Sequence, residues 1–378
     1  MADPGDLNSS RPHWEPVRKA LAAGLEAGVA TAVSLTVGQN GQVLYEQAFG
    51  RTSDGPVGVE IGPESLFDLA SLTKPLATTL ACLGLIQEGV IEIEAPLGRW
   101  LDLPADKAAL TPAHLLAHTS GLPAWRPFYQ KLVDLPHGKR AGRLRELVAA
   151  EPLTYPPGEQ TLYSDLGFML LKDLIEKVSQ ESLAEYVAWT FYEPLGLGVE
   201  LSFVLLPDGP GPAVDQFVAS ERCPWRSKLL QGEVNDENAW AEGGIAGQAG
   251  LFGAGRAVFE LMTWLAASAQ DRGEPALLRP EVASLIYKNP FAGQARTLGF
   301  DRPAGVEGAA GSLAAPKMIG HLGFVGASLF HDPSQDLTVV LLTNRTIFGR
   351  ENQLHQGFRR EVHDLVAQAL AGGEGSGG

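Results

Sequence analysis

The sequence predicts an α/β protein: one antiparallel sheet assembled from both chain ends, flanked by helices, with a mostly helical domain inserted between the halves. Three observations predict it. A pair of β-patterned runs lies near each terminus, an amphipathic helical segment accompanies each pair, and helical patterns dominate the middle of the chain.

Taken in order, Trp14 to Ala27 has the apolar spacing of an amphipathic helix. Ala32–Val37 and Val43–Phe49 follow as strands, joined by Gly38-Gln39-Asn40-Gly41, whose Asn-Gly pair suits a tight hairpin. The middle gives helices over Pro112–His118, Arg143–Ala150, Leu166–Val178 and Leu183–Phe191. Pro207-Asp208-Gly209-Pro210-Gly211-Pro212 is a linker or loop, and the Gly- and Ala-rich stretch Ala304–Ala315 offers little to pack, so a flexible surface segment is expected. Ile319–His331 and Leu337–Thr343 are strand-like and are separated by the turn-rich Asp332-Pro333-Ser334-Gln335. Phe358, Val362, Leu365, Val366 and Leu370 then share one helical face, and the Gly-rich tail Gly372–Gly378 is expected to be disordered. The resulting division is a discontinuous sheet domain, 1–95 with 255–371, and a helical insertion, 96–254.

Composition excludes several classes. A net charge of −15 opposes binding to nucleic acid or anionic lipid, and the cations between His137 and Arg145 read as the solvated start of a helix. The longest apolar runs have strand length, so no membrane span is expected. No basic or apolar leader precedes Trp14, which makes cytoplasmic residence the expectation. Cys82 and Cys223 fit no metal motif, and Cys82 reads as a small core residue.

Chemistry concentrates in three places. Ser71-Leu72-Thr73-Lys74 is the only S-x-x-K in the chain, and Pro75 follows it directly. Proline fits only the first turn of a helix, so a helix from Leu76 to Glu88 would place Ser71 at or just before its N-terminus. The Ser71 N–H is then free to donate to a developing oxyanion, and Lys74 lies over the same face as the hydroxyl. A serine needs a neighbouring base, and a lysine serves as one when its surroundings lower its pKa. Tyr163-Ser164-Asp165 stands at the start of another helix. His321-Leu322-Gly323-Phe324 lies on a strand, where Gly323 would let a substrate backbone approach and the Phe324 N–H would complete an oxyanion hole.

These three motifs, in this order and separated by 92 and 158 residues, resemble those of the serine β-lactamase and penicillin-binding-protein superfamily. The spacing is similar to its class C-like branch, which includes class C β-lactamases, D-alanyl-D-alanine carboxypeptidases and family VIII esterases. Leu115–Pro123, Tyr163–Phe168 and Leu341–Arg345 add to the likeness, which runs from about Gly24 to Leu370. The resemblance implies the β-lactamase/transpeptidase-like fold and Ser71, Lys74 and Tyr163 as catalytic residues. It makes Asp165, His321, Gly323 and Phe324 the substrate-binding and oxyanion residues.

Two departures bear on substrate. The family's Lys-Thr-Gly is replaced by His321-Leu322-Gly323, which removes a carboxylate-binding pair and leaves a histidine only partly charged near neutral pH. Asp165 stands where the class C motif usually has asparagine, and a carboxylate beside Lys74 would raise the lysine pKa and shift proton work toward Tyr163. Gly232–Phe252 resembles a stretch of muropeptide amidases, which often carry histidines where this chain has Asn235 and Gln248. Asp236, Glu237 and Glu242 lack histidine partners, and His114 and His118, though four apart, lack the glutamate that follows the first histidine in zinc helices. The expectation is a serine hydrolase that works through an acyl-enzyme, without metal or cofactor. A small ester is the first substrate expected; a muropeptide, D-alanyl peptide or β-lactam is the second. A protein that acylates without turnover is the third reading, and the oligomeric state stays open.

Overall fold

The computed structural model describes residues 12–374 except 57, 207–213, 292 and 303–307, so the expected loop at 207–212 lies outside the described residues. Ala32–Gln39 (β1) and Gln42–Gly50 (β2) pair antiparallel through Asn40 and Gly41. Both turn residues have positive φ, 52° and 76°, as a two-residue hairpin that follows the sheet twist requires. Ile319–Leu322 (β3), Ser328–Asp332 (β4) and Leu337–Thr343 (β5) complete a five-stranded antiparallel sheet in the order β2-β1-β5-β4-β3. Both chain ends therefore build one sheet. Ile319–His331 is not one strand, however. The Gly323 N–H donates to the Ala327 carbonyl at 2.7 Å, and Gly326 adopts φ 112°, so the chain reverses between β3 and β4.

Alternation along the strands supplies two apolar faces. Val33, Leu35, Val37, Val339 and Leu341 pack with Val17 and Leu21 of the helix Glu15–Glu26 and with Phe358, Val362 and Val366 of the C-terminal helix Leu354–Glu374. Val340 and Leu342 point the other way, into a larger core with Val258, Phe259 and Met262 of the helix Gly255–Ser268. With both faces covered, β1 and β5 are buried along nearly their whole length, while the edge strand β2 is half-buried. Asn344 ties the two chain ends together: its Oδ1 accepts from the N–H groups of Thr31 and Ala32, both at 3.0 Å.

The middle of the chain is helical, with adjusted boundaries. The expected 112–118 helix stops at Leu116, because His118 turns to φ 56°. The expected 143–150 helix begins at His137. Its Arg140 is not solvated: the guanidinium is buried and donates to the carbonyls of Leu135, Val133 and Ala241. Asp165–Ser179 is capped by the Ser164 hydroxyl, which accepts from the Gly167 N–H. A three-stranded sheet, Phe67–Asp68 beside Leu251–Gly253 beside Leu201–Phe203, was not legible in the short runs that form it.

Two expectations fail near the C-terminus. Within 304–315, Ala309, Ala310 and Leu313 are buried against the C-terminal helix, because small side chains allow close approach; residues 304–307 lie outside the described residues. That helix also runs to Glu374, past the expected start of the tail, and 375–378 lie outside the described residues. Cys82 and Cys223 are buried free thiols, and burial pushes Cys82 up to about 12. No helix among the described residues is long and apolar enough to cross a membrane.

Candidate active site

Ser71 sits where the small sheet hands the chain to a helix. Asp68, buried at the end of its short strand, accepts from the Ala70 N–H at 2.8 Å and from the Asn235 N–H at 2.6 Å. Burial pushes the Asp68 carboxyl up to about 6, against the pull of those two N–H groups. Ala70 is held at φ 47°, a left-handed conformation that costs a non-glycine residue about 1–3 kcal/mol and is tolerated only where its surroundings fix it. A 3₁₀ turn over Ala70–Leu72 presents Ser71, and Lys74–Thr79 continues as a π-helical turn before the α-helix Leu80–Gln87. Pro75 thus stands at the helix start, as its missing N–H predicted, although the regular helix begins later than Leu76. The wide π turn leaves the Leu76 carbonyl to accept from the buried Tyr192 hydroxyl at 2.9 Å.

The Lys74 side chain is fully buried. Its Nζ lies 2.7 Å from Asp165 Oδ1 and donates to Ser71 Oγ at 3.1 Å and to the Gln248 carbonyl at 3.0 Å. Ser71 and Gln248 each accept one proton of the ammonium, and Asp165 stands beside it as the opposite charge. Burial is the largest influence on Lys74 and disfavours its charge, but Asp165 and Tyr163 together outweigh it, and the pKa is raised. The expected effect of Asp165 is therefore present. Gln248 takes part through its backbone carbonyl, while its side-chain amide donates to Asp236 at 3.2 Å.

Tyr163 stands beside Ser71 and Lys74: Lys74 Nζ lies 4.8 Å from its ring centroid, and Tyr163 and Ser71 line one cleft. Burial is the main reason its pKa is raised; Lys74 opposes the rise and Asp165 adds to it. The ring is held by neighbours that the motifs did not reveal. His118 lies against one side, with centroids 4.6 Å apart, and Arg296 stands 5.0 Å from the ring centroid. His118 Nδ1 accepts from the Ser164 N–H at 3.0 Å, and burial followed by Arg296 and Lys74 holds the ring well below the usual histidine range. The neighbouring 118–124 segment fixes the rest of this loop: Ser164 Oγ donates to the Pro123 carbonyl and Asp165 N–H to the Ala124 carbonyl. His114 serves elsewhere, bonding Thr111 and stacking on Phe291, so the pair with spacing four does not converge.

His321, at the end of β3, is buried, and its ring centroid is 5.9 Å from that of Tyr163. The expectation of a partly charged histidine is overturned. Burial, then Lys74 and Arg296, push its pKa well below the usual range, so the ring is neutral at physiological pH. Its Nδ1 lies 2.9 Å from the Leu322 carbonyl, which fixes the proton on Nδ1 and leaves Nε2 as an acceptor. Gly323 has a different first duty from the one expected. A Cβ there would stand 2.8 Å from the Leu69 carbonyl, so the glycine lets β3 close on the Ser71 turn itself. Among the described residues neither the Ser71 nor the Phe324 N–H meets a backbone acceptor, and both residues line one cleft of about 670 Å³.

The acidic trio is partnered by the chain. Asp236 caps the helix Glu237–Glu242, Glu237 pairs with Arg350 at 2.6 Å, and Glu242 pairs with Lys172 at 2.5 Å. Asn235 donates to Glu221 at 2.7 Å.

The family model described as Beta-lactamase matches residues 17–364. A protein of Escherichia coli (strain K12) named "Putative D-alanyl-D-alanine carboxypeptidase" is 30% identical over 343 residues, covering 83% of this chain and 78% of that protein. Two solved structures share the fold. A penicillin-binding protein homologue from Caulobacter crescentus superposes with a TM-score of 0.74 at 18% identity, covering 97% of this chain and 100% of its own. EstCE1, a hydrolase with promiscuous acyltransferase activity, gives 0.68 at 22% identity, covering 92% and 98%. A strand edge closed on a strained serine turn, in a chain matched along nearly its full length, identifies this protein as a member of the β-lactamase family of serine hydrolases.

Proposed function

We propose that the protein hydrolyses small esters through an acyl-enzyme on Ser71. The observation that carries the reading is the 3.1 Å contact of Ser71 Oγ with the buried Lys74 Nζ, beside the Tyr163 ring, in the cleft that Ser71 and Tyr163 line. Because Lys74 is held as an ammonium, the acceptor for the serine proton is Tyr163 as phenolate, stabilised by Lys74 on one side and by the Arg296 guanidinium over its ring. Ser71 Oγ bonds to the carbonyl carbon as its proton passes to Tyr163. The Ser71 and Phe324 N–H groups receive the oxyanion. Tyr163 then returns the proton to the departing alkoxide, which leaves the acyl ester on Ser71. A water attacks that ester by the same route in reverse and frees the acid.

The ester preference rests on Leu322, which offers no hydrogen bond, and on a neutral His321 in the place of a lysine. A D-alanyl peptidase is the second reading, favoured by the name of the Escherichia coli relative. The test is p-nitrophenyl ester hydrolysis with mass spectrometry of the quenched protein. The reading requires a covalent acyl adduct on Ser71 in the native enzyme and loss of both adduct and turnover in Ser71→Ala with the fold intact. Turnover retained in Ser71→Ala overturns it. A stable adduct without turnover would instead mark a sensor.

A further inference from the structure

The cleft that holds Ser71 has a wall contributed by Asn235, Asp236 and Gln248, whose side chains the hydrolytic steps leave unused. The two amides on it are already bound through their nitrogens. Asn235 Nδ2 donates to Glu221 at 2.7 Å, and Glu221 is paired with Arg350 at 2.8 Å. Gln248 Nε2 donates to Asp236 Oδ1 at 3.2 Å, and the same oxygen accepts from the Ala239 N–H at 2.7 Å. A carboxylate offers only acceptors, so these contacts fix which end of each amide is nitrogen. What each side chain has left to offer is oxygen.

Those oxygens are unmet. Gln248 is 1% exposed, and its Oε1 is buried without a hydrogen-bond partner. Among the described residues, Asn235 Oδ1 and Asp236 Oδ2 accept no hydrogen bond, and Asp236 has no ion pair. Burial, and then the charge of Asp165, push the Asp236 carboxyl up to about 6, so it is an anion at neutral pH. Lys74 does not offset it, because that ammonium is 2.7 Å from Asp165. A buried acceptor left unmet costs about 1–3 kcal/mol, and more when it is charged. Three acceptors, one of them anionic, suit a group with several N–H donors, a positive charge and no lone pair. A primary ammonium is such a group.

Gln248 also sets where that group would lie. Its backbone carbonyl accepts from Lys74 Nζ at 3.0 Å, and the same Nζ donates to Ser71 Oγ at 3.1 Å. The wall therefore begins about one residue's breadth from the nucleophile, in reach of an amino group one or two carbons from the carbonyl under attack.

We propose that this wall is a subsite for a primary ammonium on the acyl group of the substrate. The substrate class is then an ester of an amino acid whose α- or β-amino group is free. The inference rests on the hydrolase reading above and names its substrate. It also agrees with the loss of a carboxylate-binding pair at His321-Leu322, since the charge recognised is the opposite one.

The experiment compares the benzyl esters of D- and L-alanine with benzyl isobutyrate, in which a methyl group replaces the ammonium. At about pH 7 the amine and Asp236 are both charged. Each kcat/KM is divided by the rate constant for hydroxide-catalysed hydrolysis of the same ester, because an ammonium activates a nearby carbonyl by itself. In the native enzyme at least one alanine ester should then exceed the isobutyrate by about ten- to a hundredfold. That ratio should fall at least about tenfold in Asp236→Asn, which keeps a helix-capping oxygen, and should shrink with added salt. It should fall by less in Gln248→Met, which keeps the main-chain contact with Lys74. A native ratio near one or below for both enantiomers overturns the subsite, as does a ratio that Asp236→Asn leaves unchanged. If none of the three esters is turned over, the hydrolase reading has failed, and the subsite is decided without turnover, by calorimetric binding of alaninamide and isobutyramide to the native protein. The same comparison decides if Asp236→Asn does not fold. Alaninamide binding tighter by about tenfold or more supports the subsite; equal affinity, or no binding of alaninamide, overturns it.

Discussion

Replacing Asp165 with asparagine tests how the site divides its proton work. The carboxylate stands 2.7 Å from the fully buried Lys74 ammonium. Two unit charges at that distance attract by about 6 kcal/mol at an effective dielectric of about 20. One pKa unit is worth about 1.4 kcal/mol, so the ceiling on the effect is about four units. Asparagine keeps the shape and removes the charge, and burial, which disfavours the ammonium, then meets less resistance. If only a quarter of the attraction is effective, the Lys74 pKa still falls by about one unit, and the free amine becomes about tenfold more abundant. The assay is kcat/KM for p-nitrophenyl butyrate across the neutral and alkaline range, in the native enzyme, Asp165→Asn, Tyr163→Phe and the double variant. Lys74 and Tyr163 are both raised in the native site, so their basic forms are scarce at neutral pH and the rate climbs as the pH rises. In Asp165→Asn that limb should move toward acid by about one unit or more. Tyr163→Phe alone should cost about 10²–10⁴ in kcat, and less in the Asp165→Asn background, where the Lys74 amine takes over. A limb that stays in place, with strictly additive effects, refutes the reasoning. Melting curves must accompany the kinetics, since stripping a buried charge of its partner costs about 3–5 kcal/mol.

Gly323→Ala should lower both melting temperature and kcat, because its Cβ meets the Leu69 carbonyl at 2.8 Å and overpacking of this kind costs about 1–3 kcal/mol; native values of both would show that the closure of β3 on the serine turn is slack. The best p-nitrophenyl ester should exceed nitrocefin in kcat/KM by about ten- to a hundredfold, the worth of one charge-assisted hydrogen bond, and the reverse order would show that Leu322 and His321 do not exclude lactams. Acid should destabilise the fold: His331, His355 and His363 are pushed by burial down to about 4, 3 and 4, so the stability they carry is complete above the ordinary histidine pKa of about 6.5 and is lost as the pH falls through those values. Asp68 and Asp236, raised to about 6, and Glu242, raised to about 7, act in the opposite sense over the same window. The histidines prevail because His118 and His321 are depressed as well, and a melting temperature that holds steady on acidification would contradict this.

The outer frame was legible because its signals are local. Asn40-Gly41 specifies a hairpin by backbone conformation alone, and both residues take the positive φ that the pair predicts. Ser71, Lys74 and Tyr163 were legible as ordered motifs, and the structure brings them together: Lys74 donates to Ser71 at 3.1 Å and its Nζ lies 4.8 Å from the Tyr163 ring centroid. The break between β3 and β4 was partly visible in Gly323 and Gly326, but strand propensity on either side concealed it. What no local pattern announces is a residue whose work depends on a partner far along the chain. Asp68 fixes the serine turn through Ala70 and through Asn235, 167 residues away. Nothing in Phe67-Asp68 alone distinguishes that carboxylate from one on a surface turn.

His118 and Arg296 show the same limit from the side of chemistry. His118 follows His114 by four positions, the spacing of a zinc-binding pair on a helix. The helix that this spacing presupposes ends at Leu116, so the periodicity on which the pairing depends is absent. Folded, the ring of His118 lies under Tyr163, and the guanidinium of Arg296 reaches the same ring from a segment 133 residues downstream of it. Arg296 is itself ion-paired with Asp301, which sets its position without removing its field from the phenol. A tyrosine that must become an anion to act needs positive charge beside it in a dry site. The S-x-x-K motif supplies one such charge through Lys74, and Asp165 spends much of that charge on itself. On the mechanism proposed above, the second cation over the ring is the counterpart of Asp165: with a carboxylate tying up the motif lysine, a phenolate at Tyr163 draws stabilisation from Arg296 as well.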